Sequence, residues 1–231
     1  MAHGRDVAEL VRRRLSGEPL QYVLGSAAFR RLELLVGPGV FIPRPETEVV
    51  AERAMARLRP GGTLVDLCTG SGAIALAVAD ERPDARVIAT EVSPAAARWA
   101  ADNQRASGLE IELHEGDLFD PLPSELRGAV DVVVSNPPYV DERERPSLPR
   151  DVVGHEPEIA LFAPSVGTSV IERIGSEAPE WLRSGGRLVV EIGETQGDAV
   201  RELLVARGFA DVDIAPDLTG RDRIAEGRWP A

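Results

Sequence analysis

Residues 65–77 read VDLCTGSGAIALA. An apolar run carrying one acid, Asp66, passes into a glycine turn and then an alanine-rich stretch of helical composition. Gly70, Gly72 and Ala75 fall at G-x-G-x-x-A spacing. Such glycines permit a tight turn and close approach of a ligand to backbone, and the following helix aims its positive end at that ligand. Outward from this unit the rhythm repeats. TLVDL (63–67) precedes SGAIALAVADE (71–81), and RVIATE (86–91) precedes SPAAARWAADNQRA (93–106). IELHEG (111–116) and the strongly apolar AVDVVVSN (129–136) are further strands. A helix near 167–183, a strand GRLVVEIG (186–193) and a helix near 196–207 follow. This alternation predicts an α/β fold with a mostly parallel sheet and helices on both faces. FADVDIAP (209–216) and DRIAEGRW (222–229), joined around Leu218-Thr219-Gly220, predict an antiparallel edge pair.

Upstream, DVAELVRRRL (6–15) predicts a short helix ended by Gly17 and Pro19. QYVLG, LELLV and VFI within residues 20–42, broken by Gly37-Pro38-Gly39, predict a β-hairpin. PRPETEVVAERAMARL (43–58) predicts a helix with Pro45 in its first turn and Glu46 and Glu48 at its positive end. The chain thus divides into a helix-and-hairpin linker, 1–44, and a main domain, 45–231. Within the latter, the long loop 140–166 leaves the carboxyl end of the central strand, where open α/β sheets bind ligands.

Composition narrows the function. The 231 residues are 43% hydrophobic and 28% charged, as expected of one globular domain with a small appendage. No apolar run approaches the ~20 residues of a membrane span. Arg5, Asp6, Glu9, Arg12, Arg13 and Arg14 leave no signal-peptide core in the first fifteen residues, so a cytoplasmic location is expected. A net charge of -12 argues against nucleic acid as a direct ligand and fits a small molecule or a basic protein surface better. All 26 basic residues are arginine, which excludes a Schiff-base or P-loop lysine. A single cysteine, Cys68, excludes an internal disulfide. Three scattered histidines (His3, His114, His155) show no metal-ligand spacing.

Three acids stand at successive strand ends: Asp66, Glu91 and Asp117. Dinucleotide enzymes and S-adenosylmethionine enzymes both use a glycine loop of this kind. Asp66 suits a cofactor ammonium, which a pyrophosphate site would not want. Glu91 stands where an acid accepts from ribose hydroxyls. Asp117 is placed to accept from an exocyclic adenine amine, with Leu118 and Phe119 as apolar walls. The set favours S-adenosyl-L-methionine, with NAD as the alternative.

SNPPYV (135–140) closes the apolar strand. A planar amide nitrogen carries two N–H donors and a delocalised lone pair. The Asn136 side-chain oxygen and a backbone carbonyl of the Asn136-Pro137-Pro138 run can accept those donors. Prolines have no N–H and fix φ, so the loop does not consume its own carbonyls. Tyr139 is expected to cover the amide and keep water out.

DLCTGSGAIALA with SNPPYV resembles the class I methyltransferases that modify a planar nitrogen. FIPRPETE (41–48) and HEPEIAL (155–161) narrow the resemblance to the HemK/PrmC family, the protein-(glutamine-N5) methyltransferases of peptide chain release factors. It runs from about Gly17 to Trp229. It implies a class I S-adenosylmethionine-dependent methyltransferase fold over 45–231, and a protein substrate methylated on the glutamine of a Gly-Gly-Gln loop. It assigns Cys68, Thr69, Gly70, Ser71 and Gly72 to the cofactor, Glu91 to ribose, Leu118 to adenine, and Asn136, Pro137, Pro138 and Tyr139 to the substrate amide, with Asn136 also bordering the cofactor. The family usually carries several helices before the hairpin, where this sequence shows one. Cys68 stands where glycine is common, and His155 where an aromatic often precedes Glu-Pro. Two other functions remain open on the residues alone: methylation of a different planar nitrogen, on a base or a small amide, and a cofactor-binding module without catalysis. Arg44, Glu46 and Thr47 either build a rigid hairpin-to-helix joint or close over the site. His155 and Glu156 pose the same choice.

Overall fold

The computed structural model describes residues 7–230. Seven strands form one sheet in the order β5-β4-β3-β6-β7-β9-β8. The strands are β3 (Thr63–Leu67), β4 (Arg86–Glu91), β5 (Glu112–Glu115), β6 (Val130–Ser135), β7 (Leu182–Glu191), β8 (Ala210–Pro216) and β9 (Asp222–Arg228). The first five pair in parallel, and β9 runs antiparallel to both β7 and β8. Successive residues face opposite sides. Val65, Leu67, Ile88, Val133, Leu188 and Val190 belong to one core, with α8 (Ser169–Trp181) and α9 (Gly197–Ala206). Leu64, Val87, Ala89, Val132, Val134 and Val189 belong to the other, with α3 (Thr47–Arg57) and α4 (Ala73–Glu81). Burial on both faces explains why Val132, Val133 and Val134 of VDVVVS run consecutively instead of alternating with polar residues. α5 (Pro94–Ser107) starts at an Ser93 cap with Pro94 in the first turn and stops at Gly108 in the left-handed conformation.

The chain builds β3, β4 and β5 in one direction, then returns to lay β6 on the other side of β3. Strand order reverses there, and the carboxyl ends of β3 and β6 frame a crevice.

The N-terminal part departs from the expectation. Of the predicted helix 6–15, Asp6 lies outside the described residues and Val7–Leu15 form α1. QYVL is not a strand. Leu20–Leu24 form a short helix, α2, between Pro19 and a left-handed Gly25. The hairpin is narrower than expected, with β1 (Ser26–Phe29) paired to β2 (Leu32–Leu35). Its turn is Arg30-Arg31, not Gly37-Pro38-Gly39. Arg30 takes φ 50° without being glycine. Its guanidinium is ion-paired with Glu81, and its N–H donates to Glu48 at 3.0 Å. Tertiary partners thus hold a turn that local composition does not announce. The glycine-proline segment instead packs on α5, where Trp99 donates to the Pro38 carbonyl at 3.3 Å. VFI continues unpaired toward α3, which begins at Thr47, with Pro45 in the turn before it.

The 140–166 stretch is not structureless. It carries a 3-10 turn at 142–147 and the short helices α6 (Arg150–His155) and α7 (Glu158–Leu161). The β7 strand also begins earlier than expected, directly after α8. No helix among the described residues is long and apolar enough to cross a membrane.

Candidate active site

A cavity of about 280 Å³ opens at the carboxyl ends of β3, β4 and β6. Its walls include Asp66 in β3 and Cys68–Ser71 after it, Glu91 at the end of β4 with Val92 and Ser93 after it, Asp117 and Leu118 after β5, and Asn136 and Pro138 after β6. Phe41, Pro43 and Thr47 come from the joint before α3. Ile159, Ala160 and Phe162 come from the long loop, and Arg173 from α8.

The glycine loop has the backbone its composition predicts. Gly70 and Gly72 take φ 59° and 83°. Cys68, at φ 58°, occupies the same left-handed region without being glycine, which costs about 1–2 kcal/mol. Burial pushes its thiol up, so it is a neutral wall group. Asp66 is buried. Its Oδ2 accepts from the Thr69 hydroxyl at 2.6 Å and the Ala75 N–H at 3.1 Å, while Oδ1 has no hydrogen-bond partner among the described residues. Burial pushes its carboxyl up to about 7, against those two bonds. Asp66 lines the cavity, and a carboxylate with one oxygen left without a partner fits the ammonium of an amino-acid moiety. Glu91 accepts from the N–H of Gly70 at 2.8 Å with one oxygen and from that of Ser93 at 2.9 Å with the other. Each oxygen keeps a second lone pair, which fits ribose hydroxyls. Burial shifts its carboxyl upward.

Leu118 lines the cavity in a left-handed conformation, φ 46°. Asp117 reaches the rim, where it pairs with Arg173 at 3.0 Å, a residue the sequence did not single out. Phe119 does not line the cavity: its ring turns into the core and stacks on Trp181 with centroids 5.7 Å apart.

In the NPPY run, Asn136 and Pro138 line the cavity, whereas Pro137 and Tyr139 do not. Among the described residues no turn or loop hydrogen bond ends on the carbonyls of Asn136, Pro137 or Pro138. The Tyr139 carbonyl is engaged, accepting from Gln196 at 2.8 Å. The Tyr139 hydroxyl donates to Glu191 Oε1 at 3.1 Å, and Arg223 approaches that hydroxyl at 3.3 Å. Burial pushes the phenol up. Tyr139 is therefore a strut of the loop rather than the amide's cover.

Behind Asn136 lie two residues from distant segments. Asn136 Nδ2 donates to Thr47 Oγ1 at 3.1 Å, and the Thr47 hydroxyl donates to Glu191 Oε2 at 2.6 Å. Glu191 is fully buried at the end of β7, and burial pushes its carboxyl up to about 7 against the bonds from Thr47 and Tyr139. Arg44 and Glu156 also meet. The guanidinium is paired with the buried Glu156 carboxylate, which also accepts from the Ile42 N–H at 3.2 Å. This clamp ties the joint before α3 to the 140–166 loop, both of which wall the cavity. Burial raises the Glu156 carboxyl, against the favourable charge of Arg44. His155 is exposed, and its ring bonds only the Asp151 carbonyl among the described residues. Glu46 stands before α3, where its charge acts on the Tyr139–Glu191–Arg223 group.

A family model for the methyltransferase small domain matches residues 36–155. The chain is 46% identical over 227 residues to the release factor glutamine methyltransferase of Streptomyces coelicolor, covering 95% of this chain and 79% of that protein. It is 49% identical over 217 residues to that of Mycolicibacterium smegmatis, covering 93% and 76%. The chain belongs to the release factor glutamine methyltransferase family. Solved structures place the family's fold among other methyltransferases. One from Pyrococcus furiosus has a TM-score of 0.67 at 18% identity, covering 97% of this chain and all of that one. A T. Thermophilus 16S rRNA N2 G1207 methyltransferase, solved with AdoMet and guanosine, has a TM-score of 0.65 at 21% identity, covering 88% and 49%. As a member of this family the chain is a class I methyltransferase, and the expected fold, with its antiparallel edge pair, is the one observed.

Proposed function

We propose that this protein transfers a methyl group from S-adenosyl-L-methionine to the side-chain amide nitrogen of a glutamine, in the Gly-Gly-Gln loop of a peptide chain release factor. The observation that carries this reading is the fixed amide of Asn136, which lines the cavity, gives one N–H to Thr47 and has no hydrogen bond to its Oδ1 among the described residues. The family names of the relatives support the same substrate. Asp66 Oδ1 would hold the cofactor ammonium, Glu91 its ribose hydroxyls, and Leu118 the adenine face. Cys68, Thr69, Gly70, Ser71 and Gly72 would line its amino-acid end. When bound, the cofactor supplies a sulfonium methyl, which the amide nitrogen takes as the sulfur keeps the bonding pair.

The chain's own part is orientation and charge. Asn136 Oδ1 accepts one amide N–H of the substrate, and a carbonyl of the Asn136-Pro137-Pro138 run accepts the other. Held so, the nitrogen points its remaining face at the methyl donor, and near-attack placement of this kind contributes roughly 7–11 kcal/mol. Both acceptors also stabilise positive charge as it develops on nitrogen. The methylated nitrogen is acidic and releases its proton to solvent, so no strong base is required. Incubating the protein with S-adenosylmethionine and purified release factors, read by intact mass, tests the proposal. One methyl increment that maps to the glutamine is expected; release factors that stay unmodified while a base or small amide is methylated would overturn the substrate.

A further inference from the structure

We propose that Thr47 and Glu191 form a positioning relay that fixes which end of the Asn136 amide faces the substrate. The inference rests on the amide-clamp reading above and deepens it. An asparagine amide is nearly symmetric in shape, with an oxygen at one corner and NH2 at the other. A clamp for a substrate N–H works only if the oxygen is the corner presented. Turned over, the same side chain offers a donor to a donor, and the substrate nitrogen is repelled. Nothing in NPPY itself settles the choice, since Pro137 and Pro138 carry no N–H to bond the asparagine oxygen.

The structure supplies the missing constraint in two steps. Above about pH 7 the Glu191 carboxyl is mostly ionised, and an ionised carboxylate only accepts, so at 2.6 Å from Glu191 Oε2 the Thr47 hydroxyl must donate. Its single proton being spent, Thr47 Oγ1 can only accept from Asn136, at 3.1 Å. Asn136 must therefore turn its NH2 toward Thr47 and its oxygen away, into the cavity. The other Glu191 oxygen accepts from Tyr139, the last residue of the same loop, at 3.1 Å. One buried acid thus anchors both ends of the four-residue clamp. Thr47 and Glu191 are both nearly inaccessible, at 3% and 0% exposure.

A double-mutant cycle reads the relay, with methylation rates on a release factor and S-adenosylhomocysteine affinity by calorimetry. Thr47→Val removes the hydroxyl at nearly constant volume. It should lower kcat at least about tenfold while cofactor affinity stays within about twofold, and Thr47→Ser should restore most of the rate. Because Thr47 acts only through Asn136, adding Thr47→Val to Asn136→Ala should cost no further rate. Full activity in Thr47→Val, or multiplicative losses in the double variant, would overturn the relay. Glu191→Gln gives an arm that keeps the hydroxyl. Its amide offers Thr47 a donor as well as an acceptor, so the obligation on Thr47 is lifted. The Asn136 side-chain NH2 resonances, assigned by their loss in Asn136→Ala, should then split into two populations, and should shift in Thr47→Val but not in Thr47→Ser. Unmoved Asn136 resonances in both Glu191→Gln and Thr47→Val would refute the relay. That arm needs no substrate, so a chain inactive on release factors would sink the proposed function and leave the relay to be judged by its spectra.

Discussion

Two side chains, Asp66 and Asn136, divide the work proposed for the cavity, one on the cofactor and one on the substrate. Asn136→Ala should therefore leave S-adenosylhomocysteine affinity within about threefold in calorimetry, yet lower turnover about 10²–10³-fold, the scale of losing a fixed acceptor at developing charge. Asp66 adds a proton linkage. Its carboxyl is pushed up to about 7 by burial, so near neutrality the ligand-free protein holds it partly protonated. An ammonium at Oδ1 favours the charged form, so cofactor binding must release that proton. Affinity for S-adenosylhomocysteine should then fall by up to about tenfold per pH unit below 7 and level off above it, and Asp66→Asn should flatten the profile. Calorimetry in buffers of different ionisation enthalpy measures the released proton directly. Asp66, Glu91 and Asn136 were legible in the sequence because each stands within a residue of the carboxyl end of a strand. Thr47 and Glu191 were not legible as partners of Asn136. They stand 89 and 55 positions away on other elements, and hydrogen bonds between distant segments leave no local pattern.

The joint before α3 and the long loop wall the cavity from elements with little sheet contact of their own, and the Arg44–Glu156 pair holds them together. Arg44→Ala would strand a carboxylate whose side chain is 1% exposed. Removing one partner of a buried pair costs ~3–5 kcal/mol; with the Arg44 side chain a quarter exposed and the Ile42 N–H still donating, about 2–3 is expected. The loss should appear as a lower Tm and as faster proteolysis within 140–166, with a variant as stable and as resistant as wild type ruling the clamp out. Periodicity located the α/β elements because their apolar repeat is set by the two-sided sheet. It misplaced the hairpin turn because Arg30-Arg31 is held by Glu81 and Glu48 across the fold, and glycine and proline drew attention to a segment that packs instead on Trp99. Within the long loop, helices of four to six residues are too short to show a periodic face.

At the scale of the whole molecule, two sets of acids pull stability in opposite directions with pH. Asp66 and Glu191 have folded values near 7, above those of the unfolded chain. The native state binds more protons there, so their contribution weakens as pH rises from about 4 to 7. Asp131, buried between Arg59 and Arg183, and Glu81, beside Arg30, are held below their ordinary values despite the opposing effect of burial. Their contribution is lost as pH falls below about 4. The ligand-free Tm should therefore peak on the acid side of neutrality. Saturating S-adenosylhomocysteine should move that peak upward. A scan of Tm against pH with and without ligand checks both statements, and a ligand-free maximum at or above pH 8 would contradict them.

The placing of β9 has a consequence for the order of events during synthesis. It is made after β8 yet lies between β7 and β8, and it brings Arg223 to the Tyr139 hydroxyl. A ribosome-bound chain that has exposed everything through residue 216 owns the glycine loop, all four residues of NPPY, Thr47 and Glu191. It still lacks the strand that pairs with β7 over Arg187–Glu191 and the cation that faces the buried acid's partner. The catalyst is therefore unfinished until β9 has been translated. An enzyme proposed to act on the factors that end translation thus has its own site braced only by a strand made after Thr47, Asn136 and Glu191.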